Sequence, residues 1–268
     1  MALLSVCETT TFRWSFEEDV ENYQRLGIPA IGVWRHKLSD FGEEKGIELL
    51  AECGLRVSSL SWAGGFTGSD GRSYKAALED ALRAIRLAGK LKAESLVVYS
   101  GSRGGHTYNH ARRLFRDAIN HLAPAAEESR VNLVIEPMHP ACAEGFTFVT
   151  NWDECSQIFS GVASPRVKLL LDTYHLGFSH DLLEKLPGLM PQLGLVQLGD
   201  GRAAPAGEQN RCLLGTGTVP LREIIGCLQA HGYDGFFEIE LIGEDLESLE
   251  YEEILHESIQ FAQQSQIL

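Results

Sequence analysis

No stretch of this sequence approaches the roughly 20 consecutive apolar residues of a membrane-spanning helix, which argues against a helical membrane protein. Basic charge is scarce, with 23 Lys and Arg against 37 Asp and Glu, a formal net charge of −14 that no long basic run offsets. Nucleic acid or an anionic membrane would be repelled over most of such a surface, so neither is expected as a partner. Paired cysteines are absent too. Cys7, Cys53, Cys142, Cys155, Cys212 and Cys227 are scattered, with no C-x-x-C pair and no histidine at zinc-finger spacing. They read as reduced, mostly core residues rather than a disulfide or structural-zinc framework. The opening "MALLSVCETT" lacks the basic start and small-residue cleavage site of a secretory signal, and a cytoplasmic location is expected.

What is present is the composition of a globular protein, 44% hydrophobic and 22% charged. Its 268 residues exceed the usual domain size, though α/β barrels often use this length as one domain. Eight short apolar, β-rich runs stand out: "LLSVC" from Leu3, "AIGVW" from Ala30, "LRVSSL" from Leu55, "SLVVY" from Ser95, "VNLVI" from Val131, "VKLLL" from Val167, "LGLVQL" from Leu193 and "FFEIE" from Phe236. Between them lie segments of helical spacing such as "YKAALEDALRAIRLAGKL" and "HARRLFRDAINHLAPAAEE", the second with Leu114, Ala118 and Leu122 on one face. Strands alternating with helices form parallel sheets, whose strands are covered on both sides and so read as continuous apolar runs. Eight such units predict a closed (β/α)8 TIM barrel. An open doubly wound sheet usually carries a glycine-rich turn after its first strand, where this chain has "ETTTFRWS". With no linker, low-complexity tract or convincing repeat, residues 1–268 are expected to form a single domain.

Barrel enzymes place their chemistry at the carboxyl ends of the strands. There the later strands offer Glu136, Asp172, Gln197 and Glu240 in turn. Three carboxylates converging without a cation would repel one another, whereas a divalent metal makes the arrangement favourable. Four oxygen donors with no thiolate suit Mn²⁺ or Mg²⁺ better than Zn²⁺, with Co²⁺ also suitable. Any one of these acids could instead be a helix cap or a loop salt bridge. Glu238, two residues before Glu240, would face the same side of a regular strand, so alternation alone does not choose between them.

The segments "LVIEPMHP", "LLLDTYHLG", "LVQLGDGR" and "GYDGFFEIEL", with "IGVWRHKL" and "GLRVSSLSWAGGFTG" earlier in the chain, resemble the sugar phosphate isomerase/epimerase family of xylose-isomerase-like TIM barrels. The resemblance extends over most of the sequence. It implies one divalent metal held by residues from strands five to eight, which by position become Glu136, Asp172, Gln197 and Glu240, the last fixed by its offset from Gly235. Gln197 is a departure, standing where most members have histidine. A glutamine can ligate through its amide oxygen, and the exchange makes the donor set harder and weakens the case for zinc.

The implied activity is an isomerase or epimerase of a sugar or keto-polyol. The ion would polarise a carbonyl and stabilise an enediolate while Glu136 and Glu240 remove and return a proton from opposite sides. If a β-hydroxyl leaves instead, the same site is a dehydratase or lyase of the inosose or dehydroshikimate type. By resemblance His175 hydrogen-bonds a substrate oxygen and Arg202 clamps substrate hydroxyls; a capping or packing role for the histidine and a surface ion pair for the arginine are the alternatives. Trp34 and Trp62, at the ends of strands two and three, could wall a sugar ring or simply pack. Arg35, His36, His139 and His106 are weaker candidates. "LGTGTVP" could shape a tight loop over the pocket or turn the chain, and as a phosphate cradle it lacks the lysine such loops use. Endonuclease IV shares this barrel, but its site is rich in histidine and lies on a basic groove. A non-catalytic binding relic of the barrel is the other alternative.

Overall fold

The computed structural model describes residues 3–207 and 209–268. Eight parallel strands close into a barrel in chain order: β1 Leu3–Cys7, β2 Ala30–Trp34, β3 Arg56–Gly64, β4 Ser95–Tyr99, β5 Asn132–Ile135, β6 Val167–Asp172, β7 Leu193–Leu198 and β8 Phe236–Ile239. β8 closes on β1, with Leu3 opposite Phe236 and Val6 opposite Ile239. The eight sequence runs coincide with these strands, and β3 continues beyond "LRVSSL" to Gly64, which carries Trp62 within the sheet. The fold is thus the TIM barrel expected from strand–helix alternation.

Helices cover the outside. Phe16–Arg25 (α1) starts at Ser15 with a capping box, in which Ser15 Oγ accepts from the Glu18 amide and the Glu18 carboxylate accepts from the Ser15 amide. Then come Arg35–Phe41 (α2), Glu43–Cys53 (α3), Tyr74–Leu91 (α4) and Tyr108–Ser129 (α5). In the second half are Trp152–Phe159 (α6), the single turn Thr173–Leu176 (α7), Leu182–Leu189 (α8), Leu221–Ala230 (α9), the short turn Glu244–Glu247 (α10) and Tyr251–Gln264 (α11). The face α5 buries is centred on Phe115, Ala118, Ile119 and Leu122, while Leu114 lies half-buried beside it. No described helix is long and apolar enough to cross a membrane.

The barrel interior shows how a period of two builds a site. Ala30, Val97, Val134, Leu170, Leu195 and Phe236 form one buried apolar cluster. Successive residues of a strand point to opposite faces, so two positions further on each strand returns to the interior. Those positions hold Gly32, Tyr99, Glu136, Asp172, Gln197 and Glu238. A polar layer therefore lies directly above an apolar one. The register supports this, because Asp172 pairs with Gln197 and Gln197 with Glu238 on neighbouring strands.

Candidate active site

Glu136 follows β5, Asp172 ends β6, and His175 lies on α7 one turn beyond it. One potential ligand atom from each lies within 4.8 Å of the others, and all three residues are buried. His175 Nε2 is 3.7 Å from Glu136 Oε1 and 3.9 Å from Asp172 Oδ2. Local structure fixes this geometry. Asp172 Oδ1 caps α7 by accepting from the Tyr174 amide at 2.7 Å, leaving Oδ2 to face the centre. Both His175 ring nitrogens are buried without a hydrogen-bond partner, which is costly unless something takes up the free lone pair. Two carboxylates and an imidazole of this kind fit a divalent metal such as Mn²⁺, Co²⁺ or Zn²⁺.

Glu240, just past β8, stands beside this set and is held differently. Arg211 donates from Nη1 to Glu240 Oε2 at 2.9 Å and from Nη2 to Asp172 Oδ2 at 2.8 Å. Thr9 Oγ1 donates to Glu240 Oε1 at 3.1 Å. Arg211 is buried, its guanidinium over the Tyr174 ring. Its backbone amide is fixed to Ile242 O, and the next residue, Cys212, bridges to Asp200.

Burial dominates the electrostatics. It raises the Glu136 carboxyl well above the usual range, and nearby Asp172 and Glu240 raise it further, against hydrogen bonding from Tyr99 and attraction to Arg211. Burial also raises Asp172 and Glu240, each opposed chiefly by Arg211. His175 is pushed down to about 3, first by burial and then by Arg211, and is neutral at ordinary pH. Burial would lower Arg211, but Asp172 and Glu240 outweigh it and keep the guanidinium charged.

The other expected residues fall in distinct places. Gln197 is buried in the polar layer; its Nε2 donates to Glu238 Oε1 at 2.9 Å and its Oε1 has no partner. Glu238 therefore sits one layer below Glu240, accepting also from Ser58 at 2.5 Å and Ser59 at 2.8 Å. Arg202, expected at the substrate, is exposed and pairs with Asp245 at 3.0 Å on the surface. The buried guanidinium at the centre belongs to Arg211, which sequence reasoning missed. Trp34 and Trp62 do lie together, ring centroids 6.5 Å apart. Trp62 also meets Tyr99 and Phe146 edge-on. Glu8 accepts from the Trp34 amide at 2.6 Å, and Arg35 donates to the Trp62 carbonyl at 2.9 Å, so both indoles hang from fixed backbone.

The loop "LGTGTVP" is organised from within. Asp200 accepts from the amides of Gly215 at 2.9 Å, Gly217 at 3.0 Å and Val219 at 3.2 Å. A Cβ at residue 217 would run into the Asp200 carboxylate, so the close approach requires glycine.

The chain is therefore a closed (β/α)8 barrel with two acids and an imidazole gathered at the carboxyl ends of β5 and β6 and Glu240 beside them. The family model for the xylose isomerase-like TIM barrel matches residues 20–265, and the chain belongs to that family. No curated protein matches the sequence. Among solved structures, the protein SMc04130 from Sinorhizobium meliloti 1021 is 24% identical, with a TM-score of 0.90 over 98% of both chains. The IOLI protein with a bound zinc atom is 18% identical, with a TM-score of 0.84 over 98% of this chain and 97% of that one. A D-allulose 3-epimerase from Methylomonas sp. is 18% identical, with a TM-score of 0.77 over 98% of each. At these identities the likeness is one of fold.

Proposed function

We propose that the protein is a divalent-metal-dependent isomerase or epimerase of a sugar or related keto-polyol. The observation that carries this reading is the convergence of Glu136, Asp172 and His175 within 4.8 Å, with both imidazole nitrogens unpartnered. These three residues would hold the metal, and the unpaired Oε1 of Gln197 on the neighbouring strand is a further donor. Compared with an all-oxygen set, the imidazole favours Mn²⁺, Co²⁺ or Zn²⁺ over Mg²⁺. When bound, the ion supplies polarisation of a substrate carbonyl and so acidifies the adjacent C–H.

The remaining chemistry falls to the chain's own side chains. Glu240 is tied to Arg211 and Thr9, lies outside the three-residue ligand group, and is available to take a proton from the carbon beside the carbonyl. Glu136, the other carboxylate of the group, would be the second proton carrier and return the proton from the opposite side. Arg211 holds Glu240 in place while sharing its charge with Asp172. Nearly complete burial of Glu136, Asp172 and Arg211 excludes bulk water from the proton in transit. Relatives of this fold described as D-allulose and L-ribulose 3-epimerases support the reaction class.

A dehydratase of the same architecture is the second reading, favoured by Gln197 at a position where histidine was expected. One experiment separates the two. The protein loaded with Mn²⁺ is incubated in D₂O with ketoses, inososes and dehydroshikimate-like acids. Deuterium entering the substrate without loss of water is expected; loss of water would make it a dehydratase, and neither change in any substrate would sink the enzymatic reading. Glu240→Gln should abolish the exchange. A cytoplasmic location, and no role for nucleic acid or membrane, go with this proposal and with the net charge of −14.

A further inference from the structure

Beside the acidic centre, over the carboxyl ends of β2, β3 and β4, lies a cavity of about 490 Å³, within the size range of small-molecule sites. None of Glu136, Asp172, His175 or Glu240 lines it; Tyr99, which belongs to the same interior layer as Glu136, does. Trp34, Trp62, Tyr99 and Phe146 give it aromatic walls, and the Phe146 ring is 38% exposed at its rim. Planar hydrogen-bonding groups complete it. Arg35 and Arg72 both reach Asp80, at 3.0 Å and 3.2 Å, and Arg72 also pairs with Asp70 at 2.7 Å. Aromatic faces beside fixed donors and acceptors are what a sugar ring needs, with its C–H faces against the rings and its hydroxyls on the polar groups.

The charges decide between a neutral ring and a phosphate ester. Phosphate sites need guanidinium or amide donors free to meet the anion. Here the two arginines of the cavity are already bonded to Asp70 and Asp80, and Glu43 makes the carboxylates of the lining outnumber them. Arg211 is bound by Asp172 and Glu240, and Arg202 by Asp245. In the glycine-rich loop the amides of Gly215, Gly217 and Val219 are occupied by Asp200, and those of Thr216 and Thr218 by the carbonyls of Leu213 and Gly201. The arginines of this face are thus each paired with an internal carboxylate.

We propose that this cavity is a subsite for an uncharged, polyhydroxylated ring joined to the reacting sugar. The substrate is then a neutral glycoside or disaccharide-sized carbohydrate rather than a sugar phosphate. The proposal rests on the isomerase reading for the position of the reacting carbon, but its test is a binding measurement that needs no turnover. Tryptophan fluorescence of the Mn²⁺-loaded protein is titrated with cellobiose, phenyl β-D-glucoside, fructose and fructose 6-phosphate. Saturable binding of the disaccharide or the aryl glycoside at least about tenfold tighter than fructose is expected, with the phosphate ester weakest. Trp62→Ala should erase that preference while leaving circular dichroism and metal uptake unchanged. Equal or tighter binding of fructose 6-phosphate, a preference that survives Trp62→Ala, or no saturation by either two-ring ligand at millimolar concentration overturns the subsite. Two-ring binding without any deuterium exchange in D₂O would sustain the subsite and overturn the isomerase reading instead.

Discussion

Gln197 Nε2 donates to Glu238 Oε1 at 2.9 Å within the barrel, and this bond fixes which way the amide faces. Gln197 lies in register between Asp172 on one side and Glu238 on the other. With its nitrogen committed to Glu238, Oε1 is the amide atom left without a partner, and a role for Gln197 as a metal ligand requires that oxygen to serve the Asp172 side. Glu238 is thus expected to act as a positioning residue. Partners that orient a metal ligand typically contribute 10- to 100-fold, roughly, in metal affinity. Glu238→Gln keeps the size but removes the carboxylate that selects the amide orientation, and it should weaken Mn²⁺ binding by about tenfold or more in calorimetric titration. An unchanged affinity would show that Gln197 takes no part in the site.

Arg211 bridges Asp172 and Glu240 from a fully buried position. Removing one partner of a buried charge network leaves the others uncompensated, at a cost of about 3–5 kcal/mol. Arg211→Met should lower the metal-free protein's stability in urea by that order. Added Mn²⁺ should recover part of the loss, since it supplies positive charge to Asp172. A loss below about 1 kcal/mol would mean that the two carboxylates are neutral without the arginine.

The fold was legible because each strand is a compact apolar run and each helix has its own period, and both signals are local. Glu136 and Asp172 were legible for the same reason, as acids at the ends of such runs. Arg211 was not, because it comes from an irregular segment nine residues beyond Arg202 that is held at the centre by long-range bonds, from its own amide to Ile242 and from the Cys212 amide to Asp200. The layers of Glu238 and Glu240 were likewise hidden. Period two puts both side chains inside, and only the register against Gln197 shows that Glu238 belongs one level down. His175 could be recognised as near the site, but its place beside Glu136 depends on the α7 turn that Asp172 caps.

The raised carboxyls give metal binding a definite pH dependence. In the metal-free protein Glu136, Asp172 and Glu240 are all raised, each mainly by burial, so their protonated forms persist above the ordinary carboxylate range. A metal must displace those protons. His175, lowered to about 3, carries no proton to displace above that pH. A raised carboxyl contributes stability below its unfolded pKa and loses it as pH rises through the folded pKa. The metal-free protein loses that contribution on going from acid to neutral pH, while the metal-bound protein, with its acids already ionised, does not. The rise in melting temperature on adding Mn²⁺ should therefore grow from pH 5.5 to pH 7.5. A rise that is constant or shrinks over this range would place the metal elsewhere.

Gly32 shows how tightly the polar layer is built. A Cβ at this position would stand 2.5 Å from Glu238 Oε2 and 3.0 Å from Ser59 Oγ. The carboxylate has no easy retreat, because Ser58, Ser59 and Gln197 all hold it. Overpacking of this kind costs about 1–3 kcal/mol, and Gly32→Ala should destabilise the protein by that order in urea unfolding. Glu238→Ala alone should also destabilise, by leaving Gln197 Nε2 without its acceptor. Combined, the two changes should cost less than the sum of the separate ones, since removing the carboxylate opens the space that the new methyl needs. A double-mutant cycle measures this directly. Strict additivity would mean that residue 32 and Glu238 do not compete for the same volume.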